Sequence, residues 1–221
     1  MTDKAASTQT DGRILRGEAT RERVLDAAER LFAAQGFDAT SIRRIAAEAG
    51  VTLGVVGFHG GAKQDLIRTV LERRVEALNS KRRARLAELR AAGSPPALRD
   101  LVDAYLTPYL EYASQGDPQW RAYARLIARI VSDDRWYPAV GGLYDPVARE
   151  YLHAMQQARP DAAQQELATA LTLTVASMLS LVASRARIAG LSGRDAGSPM
   201  DYRDTLITFC LGGIDAVSRA P

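Results

Sequence analysis

The stretch TSIRRIAAEAGVTLGVVGFHGGAK, residues 40–63, decides the fold. Thr40 and Ser41 offer side-chain oxygens to cap a helix, and Ile42, Ile45, Ala46 and Ala49 then fall on one side of it until Gly50 stops it. Beyond the turn at Ala49-Gly50-Val51, Thr52 caps another short segment. Two such helices joined at a glycine have the dimensions of a helix-turn-helix, in which the second helix presents its N-terminal residues to the major groove. Two short helices meeting at a glycine also make plain corners in all-α proteins, so the spacing leaves both readings open.

Upstream, Val24, Leu25, Ala28, Leu31 and Phe32 recur at helical spacing as far as Gly36, and residues 1–17 read as a mobile, polar arm. Downstream, Lys63 to about Arg90 reads as one long helix with Leu66, Ile67, Val70, Leu71, Val75, Leu78 and Leu86 on its apolar side, ended by Gly93-Ser94-Pro95-Pro96. The remainder repeats one punctuation, a capping residue followed by proline: Ser94-Pro95, Asp117-Pro118, Asp145-Pro146 and Ser198-Pro199. These predict helices near 96–114, 118–132, 144–158, 162–189 and 200–218, with Asp161 capping the fourth. No alternating run of strand type appears, and the fold class is all-α.

A chain of 221 residues that is 47% apolar can bury a real core, which argues against disorder of the whole. Its formal charge of +3 is too small to hold a polyanion by charge alone, so a nucleic-acid partner must meet a local patch. The single cysteine, Cys210, forms no intrachain disulfide, and no basic segment followed by an apolar one opens the chain; a cytoplasmic location is expected. His59, His153 and Cys210 are too few for a zinc site, and no cofactor is implied. The uncharged run 167–184 has the length of a membrane span but carries three threonines and three serines; a helix buried in protein, and no membrane partner, is the better reading.

Two further motifs fail on spacing. In GVVGFHGGAKQ, residues 54–64, Lys63 follows alanine and precedes Gln64, and no strand leads in, so it is no phosphate loop. Glu150 and His153 have the spacing of a di-iron helix without a second such pair. No nucleophile–base constellation stands out, and an enzyme is not expected.

The longer stretch TRERVLDAAERLFAAQGFDATSIRRIAAEAGVTLGVVGFHGGAKQDLI, residues 20–67, resembles the N-terminal domain of the TetR family of bacterial one-component repressors. The likeness lies in A-x-x-L-F with Gly36-Phe37, in T-S-I-R-R-I-A-x-x-A-G-V, and in Lys63 before an apolar helix. It implies a three-helix DNA-binding domain over 18–64, joined by the long helix to a ligand-binding and dimerisation domain over 65–221. By that resemblance Thr52, Leu53, Val55, Gly57, Phe58 and His59 lie on the recognition helix, Lys63 lies beside a phosphate, and Ser41, Arg43 and Arg44 face the DNA backbone or the groove edge. Arg13 and Arg16 would reach the minor groove.

The family usually has an aromatic or polar residue where this chain has Gly57, and an aromatic one where it has Gly60. Gly54 and Gly57 each cost a helix about 1 kcal/mol relative to alanine, so the recognition helix should be soft. It also lacks the Arg, Lys, Asn and Gln that read bases by paired hydrogen bonds, which leaves readout to Thr52, Leu53, Val55, His59 and Arg43 or to DNA shape. Gly57→Tyr with Gly60→Phe is then expected to raise affinity.

In the second domain an aromatic set, Tyr105, Tyr109, Trp120, Tyr123 and Tyr151, with Met178, is the expected lining for a small hydrophobic ligand, acyl or aromatic, with Arg125 as its polar handle; plain core is the alternative. The 162–189 helix is apolar nearly all round, which implies a second partner. Leu171, Val175, Met178 and Val182, with Phe209 and Gly213 of the last helix, are the expected face of a homodimer whose two-fold symmetry suits a palindromic double-stranded DNA operator. The basic run Lys81-Arg82-Arg83-Arg85 reads as a solvated face. Two functions follow: a ligand-responsive DNA-binding regulator, expected to be a repressor released from its operator by a small hydrophobic effector, or a dimeric small-molecule-binding protein of the same fold with weakened or lost DNA readout.

Overall fold

A computed structural model of the chain describes residues 3–92, 95–115 and 117–217, with side chains from residue 14 onward. Among the described residues there are ten α-helices and no strand: α1 (Asp3–Gln35), α2 (Ile42–Ala49), α3 (Leu53–Gly60), α4 (Lys63–Ala91), α5 (Leu98–Ser114), α6 (Pro118–Val131), α7 (Tyr137–Ala158), α8 (Gln164–Ala183), α9 (Arg185–Ser192) and α10 (Arg203–Val217). Short 3₁₀ turns precede α7 and α10. The chain divides into two compact units, Met1–Glu72 and Arg73–Pro221. The division falls inside α4, past the boundary at residue 64 expected from sequence, and Leu66 of α4 lies against Gly60 within the first unit.

In the first unit Val24, Leu25, Ala28 and Phe32 of α1, Ile45 and Ala46 of α2, and Val56 of α3 form the core. Gly36 (φ 83°) ends α1, where its N–H donates to the Phe32 carbonyl at 2.9 Å. Of the two hydroxyl residues offered as caps, Ser41 caps α2, and Thr40 is buried with its hydroxyl donating to the Gly36 carbonyl at 2.8 Å. Where a mobile arm is expected over 1–17, the backbone from Asp3 is helical and continuous with α1. That stretch contains no proline, the one residue that removes a backbone donor and breaks a helix outright. The Arg13 side chain and Ser94 lie outside the described residues.

In the second unit the Asp-Pro punctuation holds once and misleads once. Asp117 caps α6, accepting from the Gln119 N–H at 2.8 Å, with Pro118 at the first helical position. Asp145-Pro146, in contrast, sits inside α7, which begins at Tyr137. Burial of Val140, Val147, Tyr151 and Met155 along one side outweighs the missing proline N–H, and Asp145 accepts from the Tyr137 hydroxyl and Arg149 instead of capping.

The single helix expected over 162–189 is broken at Ser184 into α8 and α9, and Arg185 is tied to the Gly197 carbonyl at 2.9 Å. Asp161 does not cap it. The turn before α8 is held by the Gln156 amide, which donates to the carbonyls of Arg159 and Ala162, and the Ala163 N–H donates to Glu166. Helix α8 is long and apolar enough to cross a membrane by length and composition; 33% of that window is buried in this unit and the rest carries Thr169, Thr172 and Ser180.

Candidate DNA interface and ligand cavity

Helices α2 and α3 meet at Gly50, whose left-handed backbone (φ 65°) brings its N–H to the carbonyls at the end of α2. Val56 and Gly60 are the buried residues of α3, and the rest of its surface is turned outward: Thr52, Leu53, Gly54, Gly57 and Phe58 are exposed, Val55 and His59 half-buried. Leu53 is 51% exposed and Phe58 85%, far beyond what a core would leave to large apolar groups. The Phe58 ring meets the His59 ring edge-on at 5.0 Å.

On α2, Ser41, Arg43 and Arg44 are exposed. The Ser41 hydroxyl accepts from the Arg44 N–H at 3.2 Å. Glu48 is taken by Arg30 at 3.2 Å, which leaves Arg43 and Arg44 without an ion pair among the described residues. Lys63 is folded back over the α1–α2 turn, its Nζ donating to the Asp38 carbonyl at 3.4 Å and lying 4.3 Å from the Phe37 ring centre.

Gly57 faces open space, so a side chain there meets nothing; a Cβ on Gly60 would come within 2.7 Å of Leu66 Cδ1, and Leu66 is fully buried. The expected gain from Gly60→Phe is therefore withdrawn, because that glycine is where α4 closes on α3.

The second unit holds a cavity of about 290 Å³, open at one end, between α4, α5, α6, α7 and α8. Of the residues expected to line it, Tyr105, Tyr109, Tyr123 and Met178 do. Trp120 and Tyr151 do not. Trp120 stacks on Tyr112 with ring centres 3.8 Å apart, and Tyr151 donates to the Arg82 carbonyl at 2.7 Å. Arg125 is exposed on α6; the cation in the wall is Arg82, read in sequence as solvated but 3% exposed.

Tyr137 and Tyr144, which belong to the same aromatic set in the sequence, also line it, whereas nothing in the sequence pointed to Asp145 and Thr172. Tyr144 and Tyr123 join hydroxyl to hydroxyl at 2.8 Å, and Tyr109 donates to the Ala124 carbonyl at 3.3 Å. Burial pushes the Tyr109 and Tyr144 phenols well above the ordinary tyrosine value, with the neighbouring Tyr123 adding to it and Arg82 opposing it, so they stay neutral hydrogen-bonding groups.

The face expected for a partner is split. Leu171 and Met178 are buried and line the cavity with half-buried Val175, while Val182 is half-buried. Phe209 and Gly213 do face outward on α10, Phe209 being 69% exposed, and the outward stripe of α8 runs through Thr169, Leu173 (57% exposed), Ala176 and Ser180.

A helix-turn-helix with an outward second helix, in a chain whose second unit is helical and holds a cavity, is the arrangement of a DNA-binding transcriptional regulator. Residues 24–70 match the family of bacterial regulatory proteins called tetR, and residues 103–213 match the tetracyclin repressor-like C-terminal domain. The chain belongs to the TetR family of transcriptional regulators.

It is 41% identical over 61 residues to the HTH-type transcriptional regulator SrpR of Pseudomonas putida, a match covering 28% of this chain and 29% of that protein. It is 45% identical over 53 residues to the regulator AcrR of Shigella flexneri, covering 24% and 25%. The match thus spans less than a third of either relative's length. Among solved structures, the fatty acid degradation regulator FadR from Bacillus halodurans superposes with a TM-score of 0.65 at 12% identity, over 88% of this chain and 95% of that one. NalD of Pseudomonas aeruginosa does so with 0.58 at 22% identity, over 89% and 97%. At such identities the likeness is one of fold.

Proposed function

We propose that the chain is a homodimeric repressor, acting in the cytoplasm, that leaves a palindromic DNA operator when a small effector occupies the cavity of its second unit. The observation that carries this reading is the outward face of α3, where Leu53 and Phe58 are exposed beside the unpaired Arg43 and Arg44. Arginines of this kind neutralise phosphates, and apolar side chains on the recognition helix meet thymine methyl groups. Ser41 and Lys63, at the starts of α2 and α4, lie where backbone N–H groups add to a hold on phosphate.

The outward stripes of α8 and α10 supply the two-fold contact. Gly212 and Gly213 face open space, so a second copy's helix can approach the α10 backbone closely, with Phe209 and Leu173 as the large apolar groups it covers. Helix α4 contributes Lys63 to the first unit and Leu78 and Arg82 to the cavity of the second, and it is the element through which occupancy changes operator affinity. Fluorescence-anisotropy titration of DNA flanking its own gene, against scrambled competitor across a salt series, tests the reading. Preference for the flanking DNA with a steep salt slope supports it; equal affinity for both DNAs overturns it.

Gly54 and Gly57, both in open space on α3, favour a second reading, a ligand-binding dimer whose DNA readout has weakened. Equal affinity in the same titration, with ligand binding intact, is its signature.

A further inference from the structure

We infer that the cavity of the second unit takes a small organic monoanion, a carboxylate on an apolar body, with Arg82 as its counter-ion. The inference rests on the sensor reading above and names the chemistry of its ligand. Arg82 is 3% exposed, yet among the described residues no carboxylate lies within ion-pair distance of it. Its side chain is held from one side: Nε donates to the Tyr105 carbonyl at 2.9 Å, and the guanidinium lies 3.8 Å from the Tyr105 ring centre. Those contacts fix its direction without neutralising it. A buried guanidinium normally has an anionic partner, because desolvating an uncompensated charge is costly. Here the place where that partner belongs is the cavity that Arg82 lines.

The surroundings set the rest of the ligand. The wall also carries the neutral Tyr144 hydroxyl, which can donate to a carboxylate while accepting from Tyr123; the Tyr109 proton is taken by the Ala124 carbonyl. Much of the remaining lining is apolar, with Leu78, Ile127 and Met178 among the residues. Three carboxylates also border the cavity, toward the end where Val131 and Tyr137 are exposed. Asp145 accepts from Tyr137 and Arg149, Asp133 is paired with Arg135 at 2.6 Å, and Asp134 is exposed.

They repel a second negative charge at that end and so orient the ligand with its head toward Arg82. One lining cation balances one negative charge; a phosphate dianion would leave the second buried without a partner. A volume of about 290 Å³ lies at the small end of ligand pockets, which suits a medium-length alkyl or single-ring acid.

Isothermal titration calorimetry of the full-length protein with the n-alkanoates from butanoate to dodecanoate, each against the n-alkanol of the same length, tests the inference. The best alkanoate is expected to bind at least about tenfold more tightly than its alkanol, the scale of one charge-assisted pair. Arg82→Met is expected to bring the alkanoate down to the alkanol's affinity, and Arg82→Lys to restore part of the difference; thermal melting checks that each variant is folded. Equal affinity of acid and alcohol in the unaltered protein overturns the charge assignment while leaving the cavity as the sensor. Binding of neither series overturns the sensor reading together with it.

Discussion

The outer face of α3 and the wall of the second unit's cavity invert the usual partition of side chains in opposite senses. On α3 a phenylalanine and a leucine stand in solvent, while in the cavity an arginine is withdrawn from it. Each arrangement costs the isolated chain free energy, and in the reading proposed above a partner offsets it: a DNA groove for Phe58 and Leu53, an anion for Arg82. The ordinary core beside them shows the contrast. Tyr151, behind the cavity wall, is a buried ring whose hydroxyl is satisfied by the Arg82 carbonyl.

The contrast is sharpest for aromatic truncation. Tyr123→Ala is expected to lower stability by about 3–5 kcal/mol, as large-to-small changes in a core do, whereas Phe58→Ala should change it by no more than about 0.5 kcal/mol while weakening DNA binding. Urea unfolding monitored by circular dichroism measures both, and a large stability loss at Phe58 would break the distinction. Next in size, Arg43→Ala with Arg44→Ala should weaken DNA binding roughly tenfold at moderate salt and flatten the salt dependence by about two phosphate contacts, with unfolding unchanged. Anisotropy titrations at several salt concentrations read that slope.

Gly57→Ala should stabilise α3 by about 1 kcal/mol, since the added methyl meets nothing, and tighten DNA binding by firming the helix. Gly60→Ala should do the reverse, because Leu66 must move; equal effects at the two glycines would contradict the packing at the end of α3.

The smallest effect concerns the cavity hydroxyls. Burial raises the Tyr144 phenol above its ordinary value of 10.0, so above that pH the unfolded chain loses a proton that the folded one keeps. Stability is therefore fully present below about pH 10 and falls as pH rises through the alkaline range. Tyr144→Phe should cost about 1 kcal/mol at neutral pH, the worth of a hydroxyl hydrogen bond, and make the alkaline loss shallower in urea titrations at pH 9 to 11.

The helix-turn-helix was legible because its signals are local: Ser41 caps, Gly50 turns left-handed, and Ile45 and Ala46 are buried at the spacing read from the chain. The second unit was legible in class and only partly in detail. Its misreadings share one physical cause, tertiary packing overriding a local signal. Asp145-Pro146 reads as a helix start, and burial of Val140 and Val147 carries α7 through it. Lys81-Arg82-Arg83-Arg85 reads as a solvated face, yet Arg82 continues the buried row Val75, Leu78 and Leu86 at helical spacing, while Arg83 pairs with Glu150 and Arg85 with Glu111. That periodicity was available in the sequence. The cavity itself was not, because Tyr105 and Tyr151 share the same buried surroundings, their rings 5.0 Å apart, and only the three-dimensional packing puts one in the wall and the other behind it.

The most direct test joins the two inverted regions. The protein is bound to labelled DNA flanking its own gene, and the complex is titrated with the alkanoate that binds most tightly and, separately, with its alkanol. Release of the DNA by the alkanoate at markedly lower concentration than by the alkanol is the predicted result. DNA that stays bound at saturating alkanoate, or is released equally by both, would contradict the account.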